Sequence, residues 1–195
     1  MINKKLFIGI LLLSLLNIII FFQRDAFQYQ PYANYSSLYS SQKDNLKKWE
    51  KFTHDFSSAE FKEAKYLTDS ICNGAKSTLA KTLLLSATLF SHFREQIGEP
   101  SVAFSSLSPL NQYKQLFLSK TDKLWCGNFA QIFSFFCWSQ GIICRNIEIM
   151  QPGDRHVLTE CYLPETKQWV MVDPTFNLLL VENSKGVPLD LISFK

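Results

Sequence analysis

The chain has 195 residues, enough for one domain with a proper core and an extension but short for two comfortable domains. Its 47% hydrophobic and 19% charged residues describe a globular protein and exclude an intrinsically disordered one. The formal charge of +3 is slight and the Lys and Arg residues are scattered, so no basic stripe marks a nucleic-acid partner.

Lys4 and Lys5 precede an apolar run over residues 6–22, interrupted only by Gly9, Ser14 and Asn17. About 20 apolar residues span a bilayer, whereas the core of a signal peptide is about 7–15. The run is nearer the spanning length. Gln23-Arg24-Asp25-Ala26 after it offers no small-x-small cleavage site, because Arg24 stands where a small residue is needed. Residues 1–25 therefore read as a single-pass membrane anchor, with a cleaved signal peptide as the alternative. Lysines ahead of the run put the N-terminus in the cytoplasm and the rest of the chain on the extracytoplasmic side, periplasmic or extracellular.

Residues 26–41 are rich in Tyr, Ser, Gln and Asn, contain Pro31 and show no hydrophobic period, which describes a linker. The domain is expected over residues 42–195. It opens with Leu46, Trp49, Phe52 and Phe56 at helical spacing among Lys47, Lys48, Glu50 and Lys51, an amphipathic helix with His54 at its surface end. Residues 61–67 suit a short helix before a turn at Asn73-Gly74. Ser77 is placed as the N-cap of a longer helix whose buried stripe is Leu79, Leu83, Leu84, Ala87, Phe90 and Ile97, stopped by Gly98 and Pro100. His92 in that helix reads as structural. Residues 109–118 predict another short helix.

Residues 127–140 predict a third strong helix, with Ile132, Phe133 and Phe136 on its apolar face and Gly141 as its stop. The period then changes. Residues 142–150 are rich in β-branched residues, 151–154 form a turn, 156–163 alternate, 164–167 form a second turn and 168–172 another strand. Helices first and an antiparallel meander after them give an α+β domain, a helical N-terminal half packed on a small antiparallel sheet.

Cys126 lies at the N-terminus of the third helix, where the helix dipole and unpaired amides favour a thiolate and stabilise an oxyanion. Gly127 and Ala130 keep its surroundings open. A lone cysteine is more often a core thiol, so the weight rests on the strands. His156, Leu158, Glu160 and Tyr162 share one strand face. If the 164–167 loop holds an even number of residues, Asp173 falls on that same face, directly or diagonally opposite His156; an odd loop reverses it. A carboxylate there would accept the imidazole N–H and fix its tautomer.

Four pieces, Cys126-Gly127-Asn128-Phe129-Ala130, Gly141-Ile142 with Arg145, His156 with Glu160 and Tyr162, and Trp169-Val170-Met171-Val172-Asp173-Pro174-Thr175, resemble the transglutaminase-like superfamily in order and spacing. The resemblance covers about the last third of the chain. It implies a papain-related fold in which Cys126 is the nucleophile, His156 the general base and then acid, and Asp173 the orienter. Trp125 replaces the family's frequent glycine before the cysteine, and Leu158 stands where many members carry Trp. Gln112 and Gln115 are the candidates for an upstream oxyanion donor. No acidic calcium loop and no paired CxxC zinc motif is present, and no cofactor or metal is expected. The remaining cysteines, Cys72, Cys137, Cys144 and Cys161, lack metal-ligand spacing. An external location permits a disulfide, and neighbouring strands would bring Cys144 toward Cys161. Residues 186–191 read as a strand entering a further element.

These expectations describe a membrane-anchored thiol enzyme acting on an amide in a protein or peptide substrate, by hydrolysis or acyl transfer. The alternative is a non-catalytic scaffold or binding module of a cell-surface assembly. Reporter fusions after Ala26 and at Lys195 are both expected to read as extracytoplasmic. A cytoplasmic signal at Lys195 would refute the orientation, and a soluble mature protein would make residues 1–25 a cleaved signal.

Overall fold

The structure, a computed structural model, describes residue 14 and residues 57–151, 154–191 and 193. Two compact units divide the chain, Met1–Asn45 and Leu46–Lys195, and the account below concerns the second. The anchor, the linker and the helix expected around Leu46, Trp49 and Phe52, with His54, lie outside the described residues, apart from Ser14. Among the described residues no helix is long and apolar enough to cross a membrane.

Helices α1 (Ala59–Ile71), α2 (Thr78–Phe93), α3 (Val102–Ser105), α4 (Pro109–Leu118) and α5 (Cys126–Ser139) precede strands β1 (Cys144–Gln151), β2 (Asp154–Leu163) and β3 (Gln168–Val172). The strands form one antiparallel sheet in the order β1-β2-β3. The α+β class holds. Ser58, Ser77, Ser101 and Ser108 cap α1 to α4, each accepting from the amide three residues on.

α5 is the centre of the domain. Eleven of its 14 residues are buried, because α1, α2 and α4 pack around it and its remaining side lies on β1 and β2. Phe129, Ile132, Phe133 and Phe136 are fully buried, each worth roughly 1.5–3 kcal/mol of transfer from water. Leu85, Leu89 and Phe93 of α2, Leu110 and Leu116 of α4, and Cys161, Leu163, Val170 and Val172 of the sheet complete the core. Gly141 ends α5 in the left-handed region, at φ +71°, where its N–H reaches Trp138 and that of Ile142 reaches Cys137.

Two expectations need correction. α2 stops at Phe93 with one 3-10 turn after it, and its buried face is Thr82, Leu85, Ser86, Leu89 and Phe93, whereas Leu84 and Ile97 are exposed. This helix is apolar on nearly every side, so its period could not select the face; packing against α5 selects it. The segment expected as a further strand at 186–191 instead folds back from the turn at Asn183–Gly186, bridging Glu182 to Pro188. Its Leu189 carbonyl accepts from Met171 N–H at the free side of β3.

The outer face of the sheet carries a buried ion pair. Arg145 donates through Nε and Nη2 to Glu160 Oε2 at 2.9 and 2.7 Å, and its guanidinium stacks 4.1 Å from the Trp169 ring centroid. Leu191 N–H donates to Glu160 Oε1, and Asp190 is buried near both. Burial raises the Glu160 carboxyl and lowers the Arg145 guanidinium, so water removal opposes both charges while contact holds them. Arg145→Met, which strands the carboxylate, is expected to cost about 3–5 kcal/mol in urea unfolding. Adding Glu160→Gln, which keeps the acceptor for Leu191, is expected to restore most of that loss. No recovery in the double variant would mean that Arg145 acts through packing alone.

Candidate active site

The hairpin sets the first pair. The 164–167 turn has four residues, and the register pairs Leu163 with Gln168 through to Thr159 with Val172. The even count puts Asp173 diagonally opposite His156, in the row that contains Glu160 and Met171. The β2–β3 ladder ends before that point, so His156 is flanked by β1 at Ile149 and not by β3. His156 Nε2 meets Asp173 Oδ2 at 2.5 Å.

Asp173 is held on every side. Its N–H and C=O bond Leu178, and its Oδ1 accepts from Thr175 N–H at 3.0 Å within the 3-10 turn Pro174–Phe176. Asn177, left-handed at φ 54°, turns the chain back to make that bridge. With both carboxylate oxygens engaged and the side chain buried, one orientation is available to it. Nε2 of His156 is committed to this carboxylate, which leaves Nδ1 as the nitrogen for the reacting group. The Phe176 ring lies 5.0 Å from the imidazole, tilted by 35°.

Cys126 is the first residue of α5, half-buried and with a free thiol. α5 packs on the 3-10 turn that follows Asp173 as well as on β2. Among the described residues no hydrogen bond joins its sulfur to His156. Its helix start differs from the other four, because Trp125 at the N-cap has no oxygen to offer and no side chain caps the first-turn amides. Those amides and the positive end of the helix dipole face whatever binds beside the sulfur.

Three buried amide side chains, Gln96, Gln112 and Asn128, fix this turn, and no local pattern in the sequence marked any of them for this task. Asn128 Oδ1 accepts from Trp125 N–H at 3.1 Å, and its Nδ2 donates to Gln112 Oε1 at 3.1 Å. Gln112 Nε2 donates to the carbonyls of Leu107 and Ser105. Gln96 Nε2 is shared among the carbonyls of Leu116, Ser119 and Asp122, which orders the approach to Cys126. Leu124 N–H and Gly98 N–H complete a bridge between the 97 and 124 segments. The expectation that Gln112 or Gln115 donates to an oxyanion fails: Gln112 is fully buried and spent on backbone, and Gln115 Nε2 bonds Asp122.

The other cysteines are all buried. The register does set Cys144 opposite Cys161, but both are free thiols, and Cys137 Sγ lies 4.0 Å from Cys161 Sγ. Burial pushes the Cys72, Cys137 and Cys144 thiols up, away from the reactive thiolate. His92 is exposed, with its ring against Phe93 and Phe117, and burial by those neighbours lowers it. Among the described residues no group of His, Cys, Asp and Glu could hold a metal ion.

No family model and no curated protein matches the chain. Among solved structures it is similar to the periplasmic domain of TgpA from Pseudomonas aeruginosa, at 22% identity and a TM-score of 0.43. The match covers 59% of this chain and 42% of that one, so the chain spans less than half of the structure it matches.

Asn128→Ala removes a buried link that satisfies one backbone N–H and one amide oxygen. It is expected to lower stability by about 1–3 kcal/mol in urea unfolding. A change within about 0.5 kcal/mol, the range of ordinary surface substitutions, would mean that the link does not hold the turn.

Proposed function

We propose that the chain is a membrane-anchored thiol enzyme of transglutaminase-like type, with its domain on the extracytoplasmic side, acting on amide bonds of a protein or peptide. The observation that carries this reading is the His156–Asp173 hydrogen bond, made on the strand face that the hairpin parity requires. The start of α5 at Cys126, with no side-chain cap, supports it.

In this reading His156 Nδ1 takes the Cys126 proton, and Asp173 holds the imidazole by Nε2 and stabilises the imidazolium. The sulfur attacks the amide carbonyl, and the first-turn amides of α5 receive the developing oxyanion. His156 then returns its proton to the leaving amine as the C–N bond breaks, which leaves a thioester on Cys126. Water as the second nucleophile completes hydrolysis, and an amine completes transfer. The same groups serve both, so the acceptor decides the outcome.

Iodoacetamide at neutral pH is expected to alkylate Cys126 far faster than Cys72, Cys137, Cys144 or Cys161. His156→Ala is expected to slow that alkylation and to lower turnover by about 10²–10⁴-fold, the usual contribution of a positioned acid–base group. Asp173→Asn should reduce turnover while the fold persists, and Cys126→Ala should fold and be inactive. Turnover is read as thioester adducts trapped from cell-envelope extracts. Equal alkylation of Cys126 in wild type and His156→Ala would uncouple the imidazole from the sulfur and leave the scaffold reading in its place.

A further inference from the structure

Among the described residues, four Phe, Tyr and Trp side chains stand more than a third exposed: Tyr66, Phe117, Trp125 and Phe176. Tyr66 and Phe117 lie on α1 and α4. The other two belong to the two short turns that carry Cys126 and Asp173. Phe176, 71% exposed, closes the 3-10 turn directly after Asp173, and its ring lies against His156. Trp125, 51% exposed, is joined by one peptide bond to Cys126.

Both rings project from pinned backbone. Trp125 donates its N–H to Asn128 Oδ1, and its carbonyl accepts from Phe129 N–H at 3.0 Å. Phe176 sits between Thr175, whose N–H is held by Asp173, and Asn177, whose left-handed turn returns the chain to Asp173. The backbone that carries each ring is thus fixed beside a reacting group. Residues 124–130 contain no charged side chain, and residues 173–178 contain only Asp173, which is buried and bonded to His156. Within these two turns a charged ligand side chain would lose hydration and meet no counter-charge. An apolar one would remove exposed ring surface from water.

We infer that this site selects acyl donors whose residue at the reacting carbonyl carries an aromatic or large aliphatic side chain, with Phe176 and Trp125 as specificity-determining residues. The inference rests on the thiol-enzyme reading above and names its substrate class. It requires that the donor's side chain pack on these rings while the carbonyl carbon meets the sulfur.

The test uses the full chain in detergent micelles and three affinity reagents, the chloromethyl ketones of N-acetyl-phenylalanine, N-acetyl-lysine and N-acetyl-aspartate. In each, the Cys126 thiolate displaces chloride to form a thioether, and the rate is read by mass spectrometry of the Cys126 peptide. Wild type is expected to prefer the phenylalanine reagent over the other two by about tenfold, the low end of what an apolar pocket discriminates. Phe176→Ala and Trp125→Ala are each expected to bring that ratio toward one. Leu118→Ala, an exposed apolar residue at the end of α4, should leave it unchanged. Equal rates for the three reagents in wild type overturn the inference. So does a preference that survives both aromatic replacements. Chloroacetamide, which carries no side chain, separates the two levels. Rapid labelling of Cys126 by it with equal rates for the three ketones sinks the specificity alone, whereas labelling no faster than at the buried cysteines sinks the enzyme reading as well.

Discussion

The domain depends on one helix being buried almost all round while its first turn stays open. α5 supplies Phe129, Ile132, Phe133 and Phe136 to the core and meets three helices and two strands. Such a helix has little freedom to rotate or slide, because its phenylalanines interlock with neighbours at close-packed density. The position of Cys126 is therefore set by core packing along the whole of α5. The absence of an oxygen-bearing N-cap at Trp125 would ordinarily weaken a helix start. Here the burial of the helix body and the Asn128 bond to Trp125 N–H hold the turn, and the first-turn amides are left for other use.

The polar side chains around this start do a different task from the apolar ones. Gln96, Gln112 and Asn128 are all buried, and their amide groups bond backbone atoms or one another. An unmet amide in that place would cost more than its bond contributes. The network is thus selective about geometry: it tolerates the one loop path that leads from α4 through residues 119–124 into Cys126. On the other side, Asp173 is fixed by Thr175 and Leu178, so the carboxylate that orients His156 is itself oriented by backbone. Two rigid turns, one before α5 and one after β3, hold the groups from which the chemistry is built.

A buried ion pair, Arg145 with Glu160, lies on the same face of the sheet as His156, four residues along β2. With Trp169 over the guanidinium and Leu191 on the carboxylate, it ties β1, β2, β3 and the 189–191 segment together. Pairs of this kind add little net stability, but losing one partner leaves a buried charge unmet. A one-residue slip of β2 would strand both charges, and the same slip would turn His156 away from Asp173.

Local pattern alone determined the order of the strands and of the helices other than α3, the start of α2 at Ser77, both ends of α4, the stop of α5 near Gly141 and the course of β3. Each rests on chemistry within a few residues: a serine oxygen reaching an amide, a glycine free to adopt positive φ, side chains alternating with period two. The pairing of His156 with Asp173 was legible for the same reason, since a four-residue turn and strand parity are nearly local properties. Only the tertiary structure decided which face of α2 is buried, because that helix is apolar all round and its neighbours choose. It also decided that Gln112 is spent on Leu107 and Asn128, partners that depend on α4 meeting α5. The exposure of Phe176 against His156 was likewise set by the return of Leu178 to Asp173. Long-range contacts assign these roles, and spacing along the chain carries no record of them.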